Sequence, residues 1–209
     1  MGNRYLLEEG LSKLGIEYKP HHIDSLDLYI REIELWNGKY KLVSASGEDL
    51  VIRHILDSLS AVPTLKKLFF STASDVGSGA GLPGIPLALF FPDVRFSLIE
   101  RSGRRVGFLR NIVSLLNFGT RVGIVESGVE DVDEKYDLVL FRAFRNLNDY
   151  YRVLSSITAP GGTLFAYKGR LENIEHEISA LGDSLKVSIR GVTVPFLDEE
   201  RNFCIFNPH

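Results

Sequence analysis

Apolar residues recur every three or four positions in the N-terminal part of the chain, a spacing that predicts amphipathic helices. In segment 22–36 the apolar face is formed by Ile23, Leu26, Ile30 and Ile33. A second helix is predicted over residues 48–61 by the same spacing. Residues 1–62 are therefore expected to form a helical extension and residues 63–209 a second domain, because the pattern changes at Pro63.

After this proline, short apolar runs alternate with amphipathic segments. Strands are predicted at residues 68–76, 95–99, 122–125, 138–141, 162–167, 185–194 and 203–206. Helices are predicted at residues 82–91, 104–116, 149–157 and 171–181. The alternation predicts an α/β fold with a mostly parallel sheet and helices on both faces. Because no helix separates the last two strands, they are expected to form an antiparallel hairpin at one edge.

The composition narrows the class of protein. The chain has 209 residues, 44% of them hydrophobic, which suits one soluble globular domain with a sizeable core. Its one cysteine, Cys204, is expected to be an inert core residue, and it excludes an intramolecular disulfide framework. No stretch approaches the ~18 to 20 apolar residues of a membrane span, and the N-terminus does not resemble a signal peptide, so a cytoplasmic protein is expected.

Charge is unevenly distributed along the chain. The net charge of −3 argues against a protein that coats nucleic acid over its whole surface. Residues 95–110, by contrast, contain five arginines and a single acid, Glu100. A solvated helix face is one explanation, and contact with RNA phosphates is the other. The candidates for phosphate contact are Arg101, Arg104, Arg105 and Arg110.

A glycine-rich turn follows the first strand of the α/β region. The run from Asp75 to Gly84 contains both G-x-G-x-x-G, the dinucleotide fingerprint, and D-x-G-x-G-x-G, the first motif of class I methyltransferases. Such a turn is expected to present backbone N–H groups to a pyrophosphate or to the carboxylate of an amino acid. Asp75 favours the methyltransferase, because a carboxylate can pair with the amino group of a bound methionine and would repel a pyrophosphate.

Three later segments bear on the choice between these ligands. Glu100 ends the second strand, where an acid accepts ribose hydroxyls in either ligand class and so does not discriminate. Residues 126–131 follow the third strand, where an adenine-binding segment would lie. The turn at residues 159–162 precedes a hydrophobic strand, as is typical of class I methyltransferases. Their order along the chain favours S-adenosylmethionine as the cofactor.

Six motifs follow one another in the order found in a known family. They are Ile52–Ser58, Asp75–Pro86, Arg104–Leu109, Arg142–Phe144, Tyr167–Gly169 and Leu197–Arg201. Over nearly its whole length the chain thereby resembles the RsmG (GidB) family, the bacterial 16S rRNA guanine-N7 methyltransferases. The resemblance implies a Rossmann-like class I methyltransferase fold with a mostly parallel seven-stranded sheet, an antiparallel C-terminal hairpin and an N-terminal helical extension. It also implies methyl transfer from S-adenosylmethionine to N7 of one guanine of 16S rRNA, as free RNA or in the small ribosomal subunit.

The resemblance adds cofactor contacts at Gly77, Leu82, Val129, Glu130 and Arg142. With the turn and the strand-end acid, the predicted cofactor-binding residues are Asp75, Gly77, Gly79, Gly81, Leu82, Glu100, Val129, Glu130 and Arg142. The chain departs from the family pattern at residues 41–43, at Phe141 and at Gly128, which stands where the family usually has an arginine.

An N7 acceptor places modest demands on the protein. Guanine N7 has an in-plane lone pair and no proton, so it can attack a sulfonium methyl without a general base. No catalytic acid or base and no metal site are predicted, and catalysis would depend on placing the base in line with the methyl group. Arg142 and Lys168 are candidate positioning residues at strand ends, and Lys168 is also a candidate RNA contact. Tyr167 and Phe144 could stack a flipped guanine or simply pack in the core.

Other functions stay open at this point. A class I methyltransferase could act on another RNA, a small molecule or a protein. An NAD-dependent oxidoreductase would explain residues 79–84, but it would not explain Asp75 or the terminal hairpin. A non-catalytic RNA-binding module would leave the cofactor turn without a purpose. His54 is expected to be a core or interdomain residue, and the protein is expected to be a monomer without membrane contact.

Overall fold

The computed structural model describes residues 2–142, 147–179 and 186–208. The described chain begins with helices and a π-helix: α1 (Asn3–Lys13), α2 (Pro20–Tyr40), α3 (Gly47–Leu50), the π-helix (Val51–Leu56), α4 (Asp57–Leu59) and α5 (Val62–Leu65). The apolar face predicted for α2 is buried at all four of its positions, because these side chains pack against the other helices and the sheet.

Strands and helices alternate in the rest of the chain. The strands are β1 (Thr72–Val76), β2 (Arg95–Ile99), β3 (Val122–Val125), β4 (Tyr136–Arg142), β5 (Thr158–Lys168), β6 (Val187–Val192) and β7 (Arg201–Phe206). The helices are α6 (Gly84–Phe90), α7 (Gly103–Leu115), a 3-10 helix (Val129–Asp131), α8 (Leu147–Ser156) and α9 (Leu171–Ser179).

The strands form one seven-stranded sheet in the order β3-β2-β1-β4-β5-β7-β6. Strands β1 to β5 pair in parallel, whereas β7 runs antiparallel to both β5 and β6. The mostly parallel sheet with an antiparallel C-terminal hairpin is therefore confirmed. The strand order reverses direction at β1 and β4, and this reversal fixes where a ligand site is expected.

Helices cover both faces of the sheet. On one face α6 and α7 share a single hydrophobic core with the N-terminal helices, which includes Leu7, Ile30 and Phe165. On the other face α8 and α9 bury Leu154 and Ile174 against the sheet. The extension is thus packed into the main core, and the division into residues 1–62 and 63–209 stays a prediction.

Several predicted elements differ from the structure. The strand predicted at residues 162–167 begins already at Thr158, so the predicted turn at residues 159–162 lies within β5. The strand predicted from residue 68 begins only at Thr72, and the apolar run before it is a loop in which Phe69 is fully exposed (107%). The helix predicted over residues 48–61 contains the π-helix instead of regular α-helical turns throughout. Residues 180, 181 and 185, which belong to a predicted helix and a predicted strand, lie outside the described residues.

Candidate cofactor cleft

A cleft of ≈ 770 Å³, measured out to the solvent, opens at the carboxyl ends of β1, β2 and β4. Its position between the reversing strands is the topological switch point at which open α/β sheets bind ligands. The lining residues are Val76, Gly77, Ile99, Glu100, Arg101, Arg105, Ser127, Gly128, Val129, Glu130, Arg142 and Tyr150.

The glycine-rich turn uses its own N–H groups. Gly77 and Ser78 donate to the carbonyl oxygen of Ile99 at 2.9 and 3.0 Å. Gly79 donates to the carboxylate of Glu100 at 2.9 Å. These bonds fold the turn back onto the end of β2, so the three amides do not point at a ligand.

The second half of the turn behaves in the same way. Gly81 and Leu82 donate to the carbonyl oxygen of Ser78 at 2.8 and 3.0 Å, and α6 begins only at Gly84. The prediction that this turn presents N–H groups to an anion is therefore wrong for all five amides. The turn instead allows a ligand to approach its backbone closely, because Gly77 lines the cleft and has no side chain. Its φ of +70° is a backbone conformation that residues with a side chain rarely adopt.

Asp75 holds this turn in place from inside the protein. Its side chain is fully buried, and its Oδ2 accepts hydrogen bonds from the Ser78 hydroxyl at 2.6 Å and from the Gly84 N–H at 2.9 Å. Burial raises the pKa of Asp75 to about 6 against these hydrogen bonds. The carboxylate is not part of the cleft lining, so the predicted contact with a bound amino group would need the turn to rearrange.

The packing around Asp75 explains why a glycine follows it at residue 84. A Cβ atom on Gly84 would lie 2.5 Å from Leu98 Cδ2 and 2.8 Å from Asp75 Oδ2. The close approach of α6 to the strands thus depends on the missing side chain. Gly79, Gly81 and Leu82 likewise lie outside the lining of the cleft and support the turn from behind.

Glu100 follows β2 directly and lines the cleft. Only 4% of the residue is exposed, and its two carboxylate oxygens accept the N–H groups of Gly79 and Ser102 at 2.9 and 2.8 Å. A carboxylate has about four lone-pair sites. Acceptor capacity is therefore left for hydroxyl groups of a ligand, and the two backbone bonds fix the orientation of the carboxylate.

The segment after β3 supplies four residues of the lining, Ser127 to Glu130. Val129 is buried and begins the 3-10 helix, which brings its backbone to the cleft. A Cβ atom on Gly128 would lie 2.5 Å from Glu130 Oε2. The glycine at this position therefore leaves room for the Glu130 carboxylate to lie against the backbone.

Arg142 ends β4 and connects the cleft to the N-terminal extension. Its Nη1 lies 3.0 Å from Asp57 Oδ2, and its Nη2 lies 3.0 Å from His54 Nδ1. Nη1 also lies 3.5 Å from the carbonyl oxygens of Arg53 and His54 on the π-helix. The side chain of Arg142 is only 14% exposed, so its charge is largely compensated within the protein.

His54 and Arg201 complete this cluster. Burial and, next, the charge of Arg142 lower the pKa of His54 to about 4, so its neutral ring can accept a hydrogen bond from the guanidinium. On the other side of Asp57, Oδ1 lies 3.3 Å from Nε of Arg201. His54, Asp57, Arg142 and Arg201 form one connected cluster. His54 thus lies between the extension and the sheet.

Two buried tyrosines also join the extension to the site. The Tyr29 hydroxyl on α2 donates to the carbonyl oxygen of Ala80 in the glycine turn at 2.6 Å. The Tyr167 hydroxyl donates to the carbonyl oxygen of Ser58 at 2.8 Å. Tyr167 is therefore a packing residue in this structure, and Phe144, the other predicted stacking residue, lies outside the described residues.

The five predicted RNA contacts are in different surroundings. Arg101 and Arg105 line the cleft, and Arg104 is exposed beside them on α7. Arg110 is exposed but pairs with Glu126 at 2.7 Å. Lys168 lies apart from the cleft lining, pairs with Glu177 at 2.5 Å and has a side chain only 12% exposed, which does not suit a phosphate contact.

The structure brings together five of the nine predicted cofactor residues: Gly77, Glu100, Val129, Glu130 and Arg142. Sequence reasoning missed the contributions of Tyr29, Asp57 and Arg201. Asp57 and Arg201 had a signal, since they fall within the motifs Ile52–Ser58 and Leu197–Arg201, whereas Tyr29 had none. Nothing in the local sequence shows that α2 contacts the glycine turn, because residues 29 and 80 are brought together only by the fold.

Further chemistry is limited in the described part of the chain. There, no group of three or more His, Cys, Asp or Glu side chains is arranged to hold a metal ion. Every helix within it is too short or too polar to cross a membrane. Cys204 is buried in β7, and burial raises the pKa of its thiol to about 11.

Comparisons with known proteins agree with this geometry. The fold is similar to that of a ribosomal protein L11 methylase from Lactobacillus delbrueckii subsp. bulgaricus, with a TM-score of 0.56 and 16% identity over 73% of this chain and 77% of that one. It is also similar to a tRNA (m1A58) methyltransferase from Aquifex aeolicus, with a TM-score of 0.53 and 11% identity over 72% and 67% of the two chains. At these identities the similarity concerns the fold alone, which is that of class I methyltransferases.

Sequence relatives are more specific. A ribosomal RNA small subunit methyltransferase G from Borrelia turicatae is 37% identical over 95% of this chain and 96% of its own length. One from Cupriavidus pinatubonensis is 35% identical over 98% and 93% of the two chains. The model of the GidB family, described as rRNA small subunit methyltransferase G, matches residues 22–204. The chain therefore belongs to the rRNA small subunit methyltransferase G family.

Proposed function

We propose that this protein transfers the methyl group of S-adenosylmethionine to N7 of one guanine in 16S rRNA. The observation that carries the proposal is the cleft at the switch point of the sheet, lined by Gly77, Glu100 and Arg142 in a chain of this family. As part of the proposal, the enzyme acts as a monomer in the cytoplasm, where small-subunit rRNA is found.

The residues of the cleft fit S-adenosylmethionine. The Glu100 carboxylate, oriented by two backbone N–H groups, would accept the two ribose hydroxyls with its remaining lone pairs. The backbone of Val129 and Glu130 would contact the adenine. Gly77, which has no side chain, would let the methionine part lie against the main chain.

The turn also argues against a pyrophosphate ligand. Five of its amides are bonded within the protein, so it lacks the N–H cradle that a dinucleotide phosphate requires. The buried carboxylate of Asp75, which is hydrogen-bonded to the turn, adds negative charge next to it. A hydride-transferring enzyme that uses NAD is therefore the weaker alternative.

Bound S-adenosylmethionine supplies an electrophilic methyl group on a positively charged sulfur. The chain itself has to hold the guanine so that N7 faces this carbon, and to exclude water from the contact. No proton has to be removed from N7, which agrees with a cleft lining that includes no histidine, cysteine or lysine among the described residues. Arg101, Arg104 and Arg105, at the rim of the cleft and the start of α7, would bind phosphates of the RNA.

The test is methyl transfer to small ribosomal subunits purified from a strain that lacks the enzyme. With labelled S-adenosylmethionine we expect label in 16S rRNA and strand cleavage at a single new 7-methylguanosine. Subunits from the parent strain, already methylated, are the control and should take up no label. Label in a protein, on another base or at another guanine atom would refute the proposal, as would binding of NAD in preference to S-adenosylmethionine.

A further inference from the structure

A second groove lies at the amino ends of the parallel strands, at the opposite edge of the sheet from the cofactor cleft. It has a volume of ≈ 880 Å³ measured out to the solvent. Residues before β1, at the start of β6 and after β7 meet there. We name it the basic groove, and it is lined by Thr64, Lys67, Leu68, Thr163, Lys186, Val187, Ser188, Arg190, Ile205 and Asn207.

The described polar side chains that line the basic groove are either cationic or neutral. Three side chains are cationic, namely Lys67, Lys186 and Arg190, and no carboxylate lines the groove among the residues that the structure describes. The other polar groups are the hydroxyls of two threonines and a serine and the amide of Asn207. Arginine, lysine, hydroxyl and amide groups are those that contact nucleic-acid phosphates and sugars.

The cations of this groove are not neutralised by the protein. Within the described ranges, Lys67, Lys186 and Arg190 are exposed and form no ion pair with a carboxylate. Lys66, next to the groove, is also exposed and unpaired there. An unpaired cluster of cations in a protein with net charge −3 attracts a polyanion to one place rather than to the whole surface.

An exposed aromatic residue directly follows the groove residues in the chain. Phe69 directly follows the groove residue Leu68, and it is fully exposed (107%), more than any other large hydrophobic residue described. Proteins bind single-stranded nucleic acids with two elements. Cations in a groove contact the phosphate backbone, and an aromatic ring stacks on a base. The combination fits RNA with an unpaired base better than it fits a protein partner.

We propose that the basic groove and Phe69 form a second RNA-binding surface, which holds an unpaired stretch of the substrate rRNA away from the methylated guanine. The inference rests on the proposed function for the identity of the RNA. A five-residue strand such as β1 is ~17 Å long. The cleft and the groove lie at opposite ends of the parallel strands, so at least this distance separates them. Only an RNA long enough to reach across that distance can occupy both sites.

The test compares two double variants of equal charge. Lys67→Glu/Arg190→Glu changes the groove, whereas Lys19→Glu/Lys39→Glu changes two exposed lysines near the ends of α2. We expect the groove variant alone to bind full-length 16S rRNA on the order of tenfold more weakly. The slope of log affinity against log salt should fall by about 1.4, since each lost single-strand phosphate contact contributes about 0.7.

Activity separates the groove from the cleft. The groove variant should raise KM for full-length rRNA and leave kcat and the Kd for S-adenosylmethionine unchanged. Methyl transfer to a short fragment that contains the target guanine should be unaffected. Phe69→Ala should weaken binding of full-length rRNA about fivefold, and Phe69→Trp should restore it, because stacking contributes ~1–3 kcal/mol per base, and ~1 kcal/mol corresponds to about fivefold.

Two outcomes would overturn the groove proposal. An equal loss in the groove variant and the α2 variant would mean that only net charge matters. Unchanged rRNA binding with loss of binding to phosphatidylserine vesicles would assign the surface to a membrane.

A wild-type protein that binds rRNA through the groove but methylates nothing would refute the proposed function while leaving the groove assignment intact.

Discussion

The buried cations at the carboxyl edge of the central sheet and the exposed cations at its amino edge are used differently. At the carboxyl edge, Arg142, Lys168 and Arg201 have side chains 14%, 12% and 23% exposed, and each pairs with a carboxylate of the chain, while Arg101 and Arg104 at the rim of the cleft are exposed. At the amino edge, Lys67 and Arg190 are exposed and unpaired among the described residues. A buried, paired cation maintains the shape of a site, whereas an exposed, unpaired one is available to an external anion. We therefore expect salt to weaken mainly the interactions of the exposed, unpaired cations.

The largest effect is expected from removing the carboxylate that two cations share at the carboxyl edge. Asp57→Asn leaves Arg142 and Arg201 without their shared carboxylate in a largely buried place. We expect it to lower the free energy of unfolding by about 4 kcal/mol, measured by urea denaturation, and to raise KM for S-adenosylmethionine. Glu126→Gln is the matched control, because it removes an exposed pair and should cost about 0.5 kcal/mol. Equal losses in the two variants would contradict the distinction.

The buried carboxylate of Asp75 gives a prediction about pH. Its pKa is raised from 3.8 to about 6 in the folded protein, so its stabilising contribution is complete below about pH 4 and is lost as pH rises through 6. Asp75→Asn cannot titrate, and its stability relative to wild type should therefore rise by about 3 kcal/mol between pH 3 and pH 7. Thermal unfolding across this range measures it. A pH-independent difference would show that Asp75 is not the titrating group.

An added anion at the carboxyl edge should act on the cofactor rather than on the RNA. Gly77→Asp introduces a side chain and a charge at a cleft residue with φ +70°. We expect the affinity for S-adenosylmethionine, measured by calorimetry, to fall about 100-fold, since 2.7 kcal/mol of lost binding corresponds to that factor. Unchanged affinity would place the cofactor elsewhere.

A smaller effect tests the contact between the extension and the glycine turn. Tyr29→Phe removes only the hydroxyl that donates to the Ala80 carbonyl oxygen. We expect a loss of about 1 kcal/mol in unfolding free energy and a weaker interaction with S-adenosylmethionine, because the turn loses a support. Stability loss without any change in cofactor affinity would show that the turn does not depend on α2.

The smallest effect belongs to the amino edge. If its cations are there for an external anion, Lys67→Glu should change the free energy of unfolding by no more than about 0.5 kcal/mol. Urea denaturation measures this in the same series as Asp57→Asn. A loss of several kcal/mol would mean that Lys67 has a structural role.

Part of the molecule could be predicted because it depends on neighbours in the sequence. The period of apolar residues predicted α2 and the alternation of strands and helices, and the glycine motif placed the cofactor turn after β1. Glu100 was identified from its position at a strand end, and the structure places it in the cleft. The loop before β1 was mistaken for a strand, because an apolar run does not reveal whether its side chains will be covered.

What the sequence determined by itself is thus the order of most helices and strands and the family. Tertiary structure alone decided which polar groups are used internally: the amides of the glycine turn bind Ile99 and Glu100, and Arg142 binds the π-helix. The reason is physical. A hydrogen bond or ion pair between distant residues exists only after the fold has brought them together, and burial then makes it obligatory, because an unpaired polar group in the interior is costly.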